Sequence, residues 1–417
     1  MDKKLPKDWR LVPISEIGKI ETGTTPSKAI SEYYGTEFPF YKPSDLEAGI
    51  NVFKSTDGLT KLGVDKARYV PEFTTLVTCI GATIGKTGFI KIGGAFNQQI
   101  NAIIPNEKSN AKFIYYQAIS LGFQKQIKAN ASATTLPLLN KSKFQLLTMV
   151  TCSIETQQAI VSKIEELFSE LDKGIEDLKT AQQQLKTYRQ SVLKWAFEGK
   201  LTVRTGRDLS VQDGELPEGW ERKTLKELTL KVDKVKRKDV DEKEELIYLD
   251  IGGLDNNFNK IENYKTYKWK DAPSRAQQIV KINDILFSTV RTYMKNIAIV
   301  DKEIFNNQIA SSGFTVLRAN EQTNFKYIFY NTISDIFLNP LNELQTGSSY
   351  PAVRDSDVFN QKISIPKLFE EQHLIVQEIE SRLSVADKME ESIAQSLQQA
   401  EALRQSILKK AFSGELL

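Results

Sequence analysis

The stretch RQSVLKWAFEGKL, residues 189–201, decides the fold because it returns as RQSILKKAFSGEL at residues 404–416. Nine of the thirteen positions are identical. The match continues upstream without a gap, from ETQQAIVSKIEELFSELD at 155–172 to EEQHLIVQEIESRLSVAD at 370–387. A repeat this long exceeds any solenoid unit, so the chain is predicted to be two tandem copies of one unit of about 210 residues.

The two copies agree unevenly along their length. Their last fifty residues match closely, whereas the preceding parts, here called heads, share only short stretches such as NEKSNAKFIYYQAIS (106–120) and NEQTNFKYIFYNTIS (320–334). The polar bridge between the copies, with its glycines and a proline, is typical of a linker. The predicted segments are a first head (1–152), a helix (153–201), a linker (202–216), a second head (217–367) and a second helix (368–417).

Both tails are predicted to be long helices that pair with each other. Their apolar residues recur at alternating spacings of three and four, which gives a narrow stripe typical of a coiled coil. Neither tail contains a proline, and Gly199 and Gly414 stand where a helix is expected to end. If the two helices pair antiparallel, the duplicated chain acquires a pseudo-twofold axis and the heads lie at opposite ends of the pair. The expected fold is therefore α/β in the α+β sense, with two mixed heads separated by an antiparallel two-helix coiled coil.

The heads are predicted to mix strands with helices. Short β-like runs are interrupted by Gly, Asn and Pro, and one helix is expected to follow in each head. The predicted strands are 74–80, 100–105, 284–290 and 313–318, and the predicted helices are 111–122 and 325–337.

The composition argues against zinc sites and histidine-based catalysis. Hydrophobic residues make up 40% of the 417 positions and charged residues 26%, as in a soluble globular protein. The beginning, MDKKLPKDW, carries no secretory signal, so a cytoplasmic location is expected. Cys79 and Cys152 form no Cys-x-x-Cys pair and His373 is the single histidine, which disfavours zinc sites and histidine triads. No metal, cofactor or catalytic residue is expected in this chain.

The segment GATIGKT (81–87) resembles a phosphate-binding P-loop, but its first glycine is one residue too close. Aligning FNQQI (96–100) with FNNQI (305–309) places it opposite VRTYMKN (290–296), where both glycines are lost. A phosphate cradle depends on those glycines, so the P-loop interpretation is rejected. That alignment retains a threonine and a lysine, Thr83 with Thr292 and Lys86 with Lys295. The conserved pairs fit phosphate contacts of a polynucleotide, although a solvated turn fits as well.

Taken in order and twice over, these landmarks resemble the specificity subunit of type I restriction–modification enzymes. The resemblance covers nearly the whole chain and is strongest in QSVLKWAFEGKL and QSILKKAFSGEL. It also rests on ETGTTPSK (21–28), ISEYYGTEFPFYKPSDL (30–46) and GATIGK (81–86). The second head departs from the pattern at IYLDIGGL (247–254).

The resemblance implies a DNA-reading subunit without chemistry of its own. Each target-recognition domain is implied to read one half of a bipartite, asymmetric target in double-stranded DNA. The helices are implied to set the spacing and to hold two modification (methyltransferase) subunits. S-adenosylmethionine would then belong to those subunits, and ATP with Mg²⁺ to additional restriction (motor-nuclease) subunits.

DNA contacts are expected in polar loops of the heads. Arg291 could fork onto a guanine edge, whereas Lys86 and Lys295 suit phosphates. The candidates are Thr83, Lys86, Ser132, Thr134 and Thr135 in the first head, and Arg291, Thr292, Tyr293, Lys295, Ser348, Ser349 and Tyr350 in the second. Ordinary surface turns are the alternative for each.

Two other kinds of protein fit the same pattern. One is a coiled-coil scaffold whose heads bind proteins, and the other is a stand-alone sequence-specific repressor. A stable complex with a modification subunit would argue against the scaffold, and tight DNA binding by the chain alone would favour the repressor. If the helices act as a ruler, inserting four residues near Thr180 should lengthen the unread gap in the target.

Overall fold

The structure, a computed structural model, describes residues 5–132, 136–201 and 215–417. By its contacts the chain divides into two compact units. Unit 1 comprises Met1–Lys179 with Ala394–Leu417, and unit 2 comprises Thr180–Ile393. Residues 202–214 of the predicted linker, and the candidates Thr134 and Thr135, lie outside the described residues.

Unit 1 contains the first head. Its strands are β1 (Arg10–Pro13), β2 (Gly18–Thr22), β3 (Tyr34–Tyr41), β4 (Asp57–Leu59), β5 (Tyr69–Val70), β6 (Thr75–Thr78), β7 (Thr87–Phe89), β8 (Gly94–Phe96), β9 (Ile100–Pro105) and β10 (Thr148–Thr151). Its helices are α1 (Ile14–Ile17), α2 (Lys61–Val64), α3 (Ala111–Ala118), α4 (Leu121–Asn130) and α5 (Lys141–Phe144), followed by the long helix α6 (Ile154–Phe197), which continues into unit 2.

The described strands of the first head form three sheets. Two have four strands each, in the orders β2-β9-β6-β7 and β4-β3-β8-β5, and β1 pairs with β10. All pairs are antiparallel except β3 with β8. The strands are rich in β-branched and aromatic residues, and β6 is buried at every position, so these sheets form the interior of the head.

Unit 2 contains the second head. Its strands are β11 (Trp220–Thr224), β12 (Thr229–Leu230), β13 (Glu245–Leu249), β14 (Leu254–Asp255), β15 (Lys260–Ile261), β16 (Lys265–Lys268), β17 (Ala276–Ile279), β18 (Ile285–Ser288), β19 (Ile297–Ile299), β20 (Ile309–Ser311), β21 (Phe314–Ala319) and β22 (Lys362–Pro366). Its helices are α7 (Leu225–Leu228), α8 (Phe325–Thr332), α9 (Asp335–Glu343) and α10 (Asp355–Phe359), and the second long helix, α11 (Phe369–Ser413), begins here.

The second head repeats the topology of the first. Its four-stranded sheets have the orders β12-β21-β18-β19 and β16-β13-β20-β17, and β11 pairs with β22. The parallel pair recurs between β13 and β20. An added hairpin, β14 with β15, distinguishes the second head in the described residues. The duplication predicted from sequence is therefore a duplication of fold, even where the side chains have diverged.

Within unit 1, α6 and α11 pair antiparallel. Asp172 forms an ion pair with Arg404. Ile160 and Ile164, which lie earlier in α6, share one core with Ile407 and Ala411, which lie later in α11. The residue numbers of successive contacts rise along α6 while they fall along α11. The two helices therefore run antiparallel, as predicted from the repeat.

Unit 2 shows the same arrangement with the other parts of the two helices. Arg189 of α6 pairs with Asp387 at 2.6 Å and with Glu390 at 2.9 Å. Further along α6, Phe197 lies in one core with Ile375, which precedes those acids in α11. The end of α6 thus packs in the unit of the second head, and the end of α11 packs in the unit of the first.

Glycines end both long helices, as predicted. Gly199 has a φ of 73° and Gly414 a φ of 80°, in the left-handed region that favours glycine. A Cβ at Gly199 would lie 2.2 Å from Pro217, and one at Gly414 would lie 2.3 Å from Pro6. The same contact between the terminal glycine of a long helix and a proline therefore occurs in each unit, and a side chain at the glycine would disrupt it.

The predicted strands are present, but each predicted head helix is two helices. Residues 111–122 cover α3 and the first two residues of α4, and a serine cap separates the two helices, since Ser120 accepts from the N–H of Phe123. Ser334 does the same between α8 and α9. The boundaries of the five consecutive segments stay a prediction. The two compact units follow a different division, in which each unit contains part of both long helices. No described helix is long and apolar enough to span a membrane.

Candidate nucleic-acid interface

The turn between β6 and β7 holds the first candidate residues. The N–H of Gly81 donates to Pro137 at 2.9 Å and that of Gly85 to Thr78 at 2.8 Å, while Ile84 donates to the carbonyl of Gly81 at 3.1 Å. These N–H groups are therefore committed to protein carbonyls. The segment is a hairpin turn, and its two glycine N–H groups are not available to cradle a phosphate.

Two side chains of this turn were predicted to contact DNA. Thr83 is exposed, and Lys86 is half-buried with its Nζ 3.6 Å from Glu47. The turn is tethered to α4, because Gln124 donates to the carbonyl of Gly85 at 2.9 Å. A cation and a hydroxyl are thus held on a fixed turn, as a phosphate contact requires.

Helix α4 adds basic charge beside this turn. Lys125 and Lys128 lie one turn apart on α4 and are both exposed. No Asp or Glu occurs between Glu107 and Glu155, so acidic residues of that stretch do not offset their charge. The loop after α4 contains Ser132, whose Oγ accepts from the N–H of Leu138 at 3.1 Å. A positive local field is what binding to a phosphate backbone needs, whatever the net charge of the whole chain.

The second head builds the equivalent turn without glycine. Arg291 and Lys295 adopt left-handed backbone conformations with φ of 49° and 55°. The N–H of Arg291 donates to Pro351 at 2.7 Å, just as Gly81 donates to Pro137. A non-glycine residue with positive φ is uncommon, and such strain often marks a functional turn.

These hydrogen bonds correct the alignment made from sequence. Gly81 corresponds to Arg291 and Gly85 to Lys295, so the pairs Thr83 with Thr292 and Lys86 with Lys295 are each out of register by one residue. FNQQI begins at the last residue of β8, whereas FNNQI begins before β20. Ten residues separate β7 from β9, but fourteen separate β19 from β21. The short motif match concealed this difference in loop length.

Arg291 and Tyr350 form the most prominent polar–aromatic group of the second head. The guanidinium carbon lies 4.9 Å from the centre of the Tyr350 ring, within the range of a cation–π contact. One guanidinium nitrogen also donates to the carbonyl of Ser349 at 3.0 Å. Tyr350 is 72% exposed and Tyr293 is 55% exposed, and Ser348 is exposed as well. A stacked guanidinium among exposed rings and hydroxyls suits contact with bases or with the DNA backbone.

Two candidates of the second head serve the turn itself. Thr292 is 2% exposed and donates its hydroxyl to Asn342 at 2.6 Å, so it offers no group at the surface. Thr292 is therefore removed from the candidate DNA contacts. It was included because the misregistered alignment paired it with Thr83. Lys295 donates to Asp335 at 2.7 Å and to the carbonyl of Ile333 at 3.2 Å. Its charge is therefore partly offset within the head.

Two basic surfaces of the heads are not among the residues predicted from sequence. One is the pair Lys125 and Lys128, which the lack of nearby acidic residues could have revealed. The other is KVDKVKRKD (231–239), where Arg237 anchors the segment through the carbonyls of Ala272 and Pro273. Five of those nine residues are basic and two are acidic, and the lysines are exposed, so the charge run itself was the signal.

The single histidine and the cysteines, which the sequence disfavours for catalysis, lie as follows. His373 is exposed on α11 beside Gln377. Burial raises the pKa of Cys79 to about 12, which makes this thiol a poor nucleophile at neutral pH. Within the part of the chain that the structure describes, no cluster of three or more His, Cys, Asp or Glu could hold a metal ion.

The comparisons with known proteins agree with this architecture. Residues 6–180 and 217–401 each match the type I restriction modification DNA specificity domain. The chain is 32% identical to the HindI specificity subunit of Haemophilus influenzae over 177 residues, which is 42% of this chain and 38% of that one. It is 23% identical to the Escherichia coli EcoDI specificity subunit over 432 residues, covering 99% of this chain and 90% of that one.

Two solved structures share the fold. One is a chain from a study of complex assembly and conformational transition in a type I restriction–modification system, with a TM-score of 0.74 at 17% identity and 99% of each chain covered. The other is the HsdS subunit of Thermoanaerobacter tengcongensis, with a TM-score of 0.60, also at 17% identity and with 99% of each chain covered.

Proposed function

The chain belongs to the type I restriction–modification DNA specificity family, and from this premise we propose that it is the sequence-reading subunit of a type I enzyme. Each head reads one half of a bipartite target in double-stranded DNA. The chain is the non-catalytic component, and methylation and cleavage take place on other subunits.

One observation carries this proposal: the two heads share a topology but present different groups at the same turn. The first turn has glycines and the exposed Thr83, whereas the second has Arg291 stacked on Tyr350. Side chains that contact base edges read the DNA sequence, whereas contacts with the phosphate backbone carry no sequence information directly. Two unlike heads on one scaffold therefore fit an asymmetric target with two unrelated halves.

The partners follow from the same proposal. Two modification subunits dock on the chain and supply S-adenosylmethionine for adenine methylation. Restriction subunits add the ATP- and Mg²⁺-dependent motor and nuclease. The assembly works where the cellular DNA is, in the cytoplasm of a bacterium or archaeon.

Methylome sequencing tests the proposal directly. A restriction-deficient host receives this chain together with its modification subunit, and single-molecule sequencing maps methylated adenines. The expected result is one bipartite motif with an unread gap, absent when either protein is omitted. A continuous motif, or the same motif without this chain, would refute the proposal. A gel shift with this chain alone separates it from a repressor, which would bind its operator without the modification subunit.

A further inference from the structure

The hairpin β14–β15 of the second head has no counterpart in the described residues of the first. It lies in the connection between β13 and β16, residues 250–264, and the first head joins β3 to β4 with a connection of equal length, residues 42–56. That connection instead forms a short 3-10 helix, Asp45–Ala48, and a single bridge between Val52 and Ile90. The two heads therefore differ here in conformation and not in length.

The fold holds the tip of this hairpin in one position. Ile261 of β15 is buried and belongs to a core of the second head. Asp255 caps the tip, because its carboxylate accepts from the N–H of Asn257 at 2.8 Å and from that of Phe258 at 3.3 Å. Asn259 closes the tip with a φ of 51°, a left-handed conformation in which asparagine is enriched. Phe258 is therefore carried on a fixed backbone.

Hydrogen bonds attach the tip to the turn between β18 and β19. The side-chain amide of Asn256 donates to the carbonyl of Met294 at 2.9 Å. That of Asn259 donates to the carbonyls of Lys295 at 3.0 Å and Ile297 at 3.1 Å. The hairpin tip and the turn thus form one surface of the second head, here called the hairpin surface.

The hairpin surface exposes apolar side chains. Phe258 is 71% exposed at the tip. On the turn to which the tip is bonded, Tyr293 is 55% exposed and Met294 is 39% exposed. Single apolar residues are common on protein surfaces, but a group of them held on one fixed surface marks an interaction site.

Positive charge accompanies these apolar groups. Lys260 follows the tip, and Arg291 and Lys295 lie on the turn. The nearest acids are engaged within the head, since Asp255 caps the tip and Asp335 pairs with Lys295 at 2.7 Å. The hairpin surface therefore combines an exposed aromatic ring with a net positive charge.

We propose that Phe258 is a wedge that enters one base step of the half-site read by the second head, unstacks that step and bends the DNA there. This rests on the proposed function, which brings DNA to the head. Apolar side chains such as phenylalanine and methionine insert between base pairs in this way, and cations beside them hold the flanking phosphates. An apolar protein surface would satisfy Phe258 but would make no use of Lys260 and Arg291, whereas DNA uses both.

The wedge implies that the two half-sites are deformed differently. The first head also exposes a phenylalanine in its connection, Phe53, but this residue follows Val52, which bridges Ile90 at the end of β7 remote from the turn 81–86. Unstacking is therefore expected in one half-site only. Because pyrimidine–purine steps unstack most easily, the second head should prefer such a step at the wedge without any hydrogen bond to its bases.

The test uses the assembled methyltransferase on its target duplex, with the fluorescent base 2-aminopurine placed in turn along both half-sites. Its emission rises where a base loses its stacking. The methylated adenines are left unsubstituted, because methyltransferases flip their target base and so give a signal of their own. Phe258→Ala removes the wedge, Phe258→Leu keeps an apolar side chain, and Phe53→Ala is the control from the first head.

The wild type should show a localised rise in emission in one half-site and none in the other. Phe258→Ala should lose this rise and bind the target about tenfold more weakly, as loss of one base–aromatic contact does. Phe258→Leu should keep the rise, since leucine also serves as a wedge, and Phe53→Ala should keep it as well. The melting temperature of Phe258→Ala should equal that of the wild type, because the ring is exposed.

Two results would overturn the proposal. One is a rise that persists in Phe258→Ala with full DNA affinity. The other is weaker association of Phe258→Ala with the modification subunit while the rise remains, which would assign the ring to a protein contact. Failure of the wild-type complex to bind any bipartite target would instead refute the proposed function.

Discussion

Gln190 of α6 accepts a hydrogen bond at 2.9 Å from the backbone N–H of Asp335, the first residue of α9. In unit 1 the repeated glutamine does the same, since Gln405 accepts from the N–H of Leu121, the first residue of α4, at 3.1 Å. The first N–H groups of a helix have no partner within it, and a fixed side-chain acceptor stabilises them. The glutamine of the repeated RQS motif is therefore explained by how a long helix docks on a head.

The start of each tail carries a second conserved glutamine, which is buried. Gln157 accepts from the N–H of Asn110 at 2.8 Å and donates to the carbonyls of Lys108 and Cys152. Gln372 makes the matching three bonds in unit 2. We predict that Gln157→Leu lowers the free energy of unfolding by about 3 kcal/mol, because it strands buried polar groups.

The neighbouring Gln158 offers a matched control, since it is exposed on the same turn of α6. Gln158→Leu should change stability by less than about 0.5 kcal/mol. Urea unfolding gives the comparison, and hydrogen exchange should place the faster-exchanging amides of Gln157→Leu in unit 1. Equal stabilities for the two variants would mean that the three hydrogen bonds contribute nothing net.

Particular residues show which parts of the fold could be predicted from the sequence. The spacing of apolar residues and Gly199 and Gly414 predicted both long helices and their ends, because helix periodicity and caps are local properties. The antiparallel pairing predicted from the repeat also implies that the end of the second tail returns to the first head. Ile407 and Ala411 do lie in one core with Phe113 of the first head, and Phe197 lies in the core of the second head although it follows the first head in sequence.

The DNA contacts of the candidate site stay a prediction. Tyr293 and Tyr350 are exposed and the Arg291 guanidinium stacks on Tyr350, but Thr292 is buried. Loop lengths differ between the heads, and motif matching cannot place a gap within a diverged loop. Lys125 and Lys128 were missed because they belong to no recognised motif. The signal that the sequence did carry is the absence of Asp and Glu between Glu107 and Glu155.

Arg291 is expected to contribute to recognition by the second head. Arg291→Ala should weaken target binding by the assembled methyltransferase by about 1–3 kcal/mol and relax the sequence of one half-site. Alanine at this left-handed position is strained as arginine is, so a change in backbone strain would not account for the weaker binding. Fluorescence anisotropy with target and half-site-substituted duplexes measures both effects.

Arg291 and Tyr350 should act as a pair. Tyr350→Ala should lose much of its own effect once Arg291 is already alanine, because the guanidinium stacks on that ring. Arg291→Lys keeps the positive charge but lacks the planar guanidinium, so its DNA affinity should lie between that of the wild type and that of Arg291→Ala. Strictly additive losses would show that the two residues bind DNA independently.

Lys125 and Lys128 are expected to contact phosphates. Replacing either with alanine should weaken specific and non-specific DNA binding alike, and lower the slope of log affinity against log salt by about 1. Lys173, exposed on α6 away from the heads in sequence, provides the control substitution. An unchanged salt slope with altered sequence preference would assign the two lysines to base contacts instead.

The long helices are expected to set the length of the unread gap, and the structure indicates how to lengthen them. Each unit contains parts of both helices, and the division falls at Thr180 in α6 and at Ala394 in α11. A four-residue insertion near Thr180 lengthens α6 by about 6 Å but leaves α11 unchanged. Pairing in one unit must then shift, so this variant should melt at a lower temperature and lengthen the gap only partly.

A matched insertion removes that conflict. Seven residues added after both Thr180 and its repeat equivalent Gln395 keep the apolar stripe in register and lengthen each helix by about 10 Å. At ~3.4 Å per base pair, we predict that the unread gap grows by about three base pairs while both half-sites keep their sequence. Methylome sequencing of a host carrying the variant measures the gap. A gap of wild-type length in a stable, active double insertion would contradict the ruler, because nothing else in the two helices would have changed.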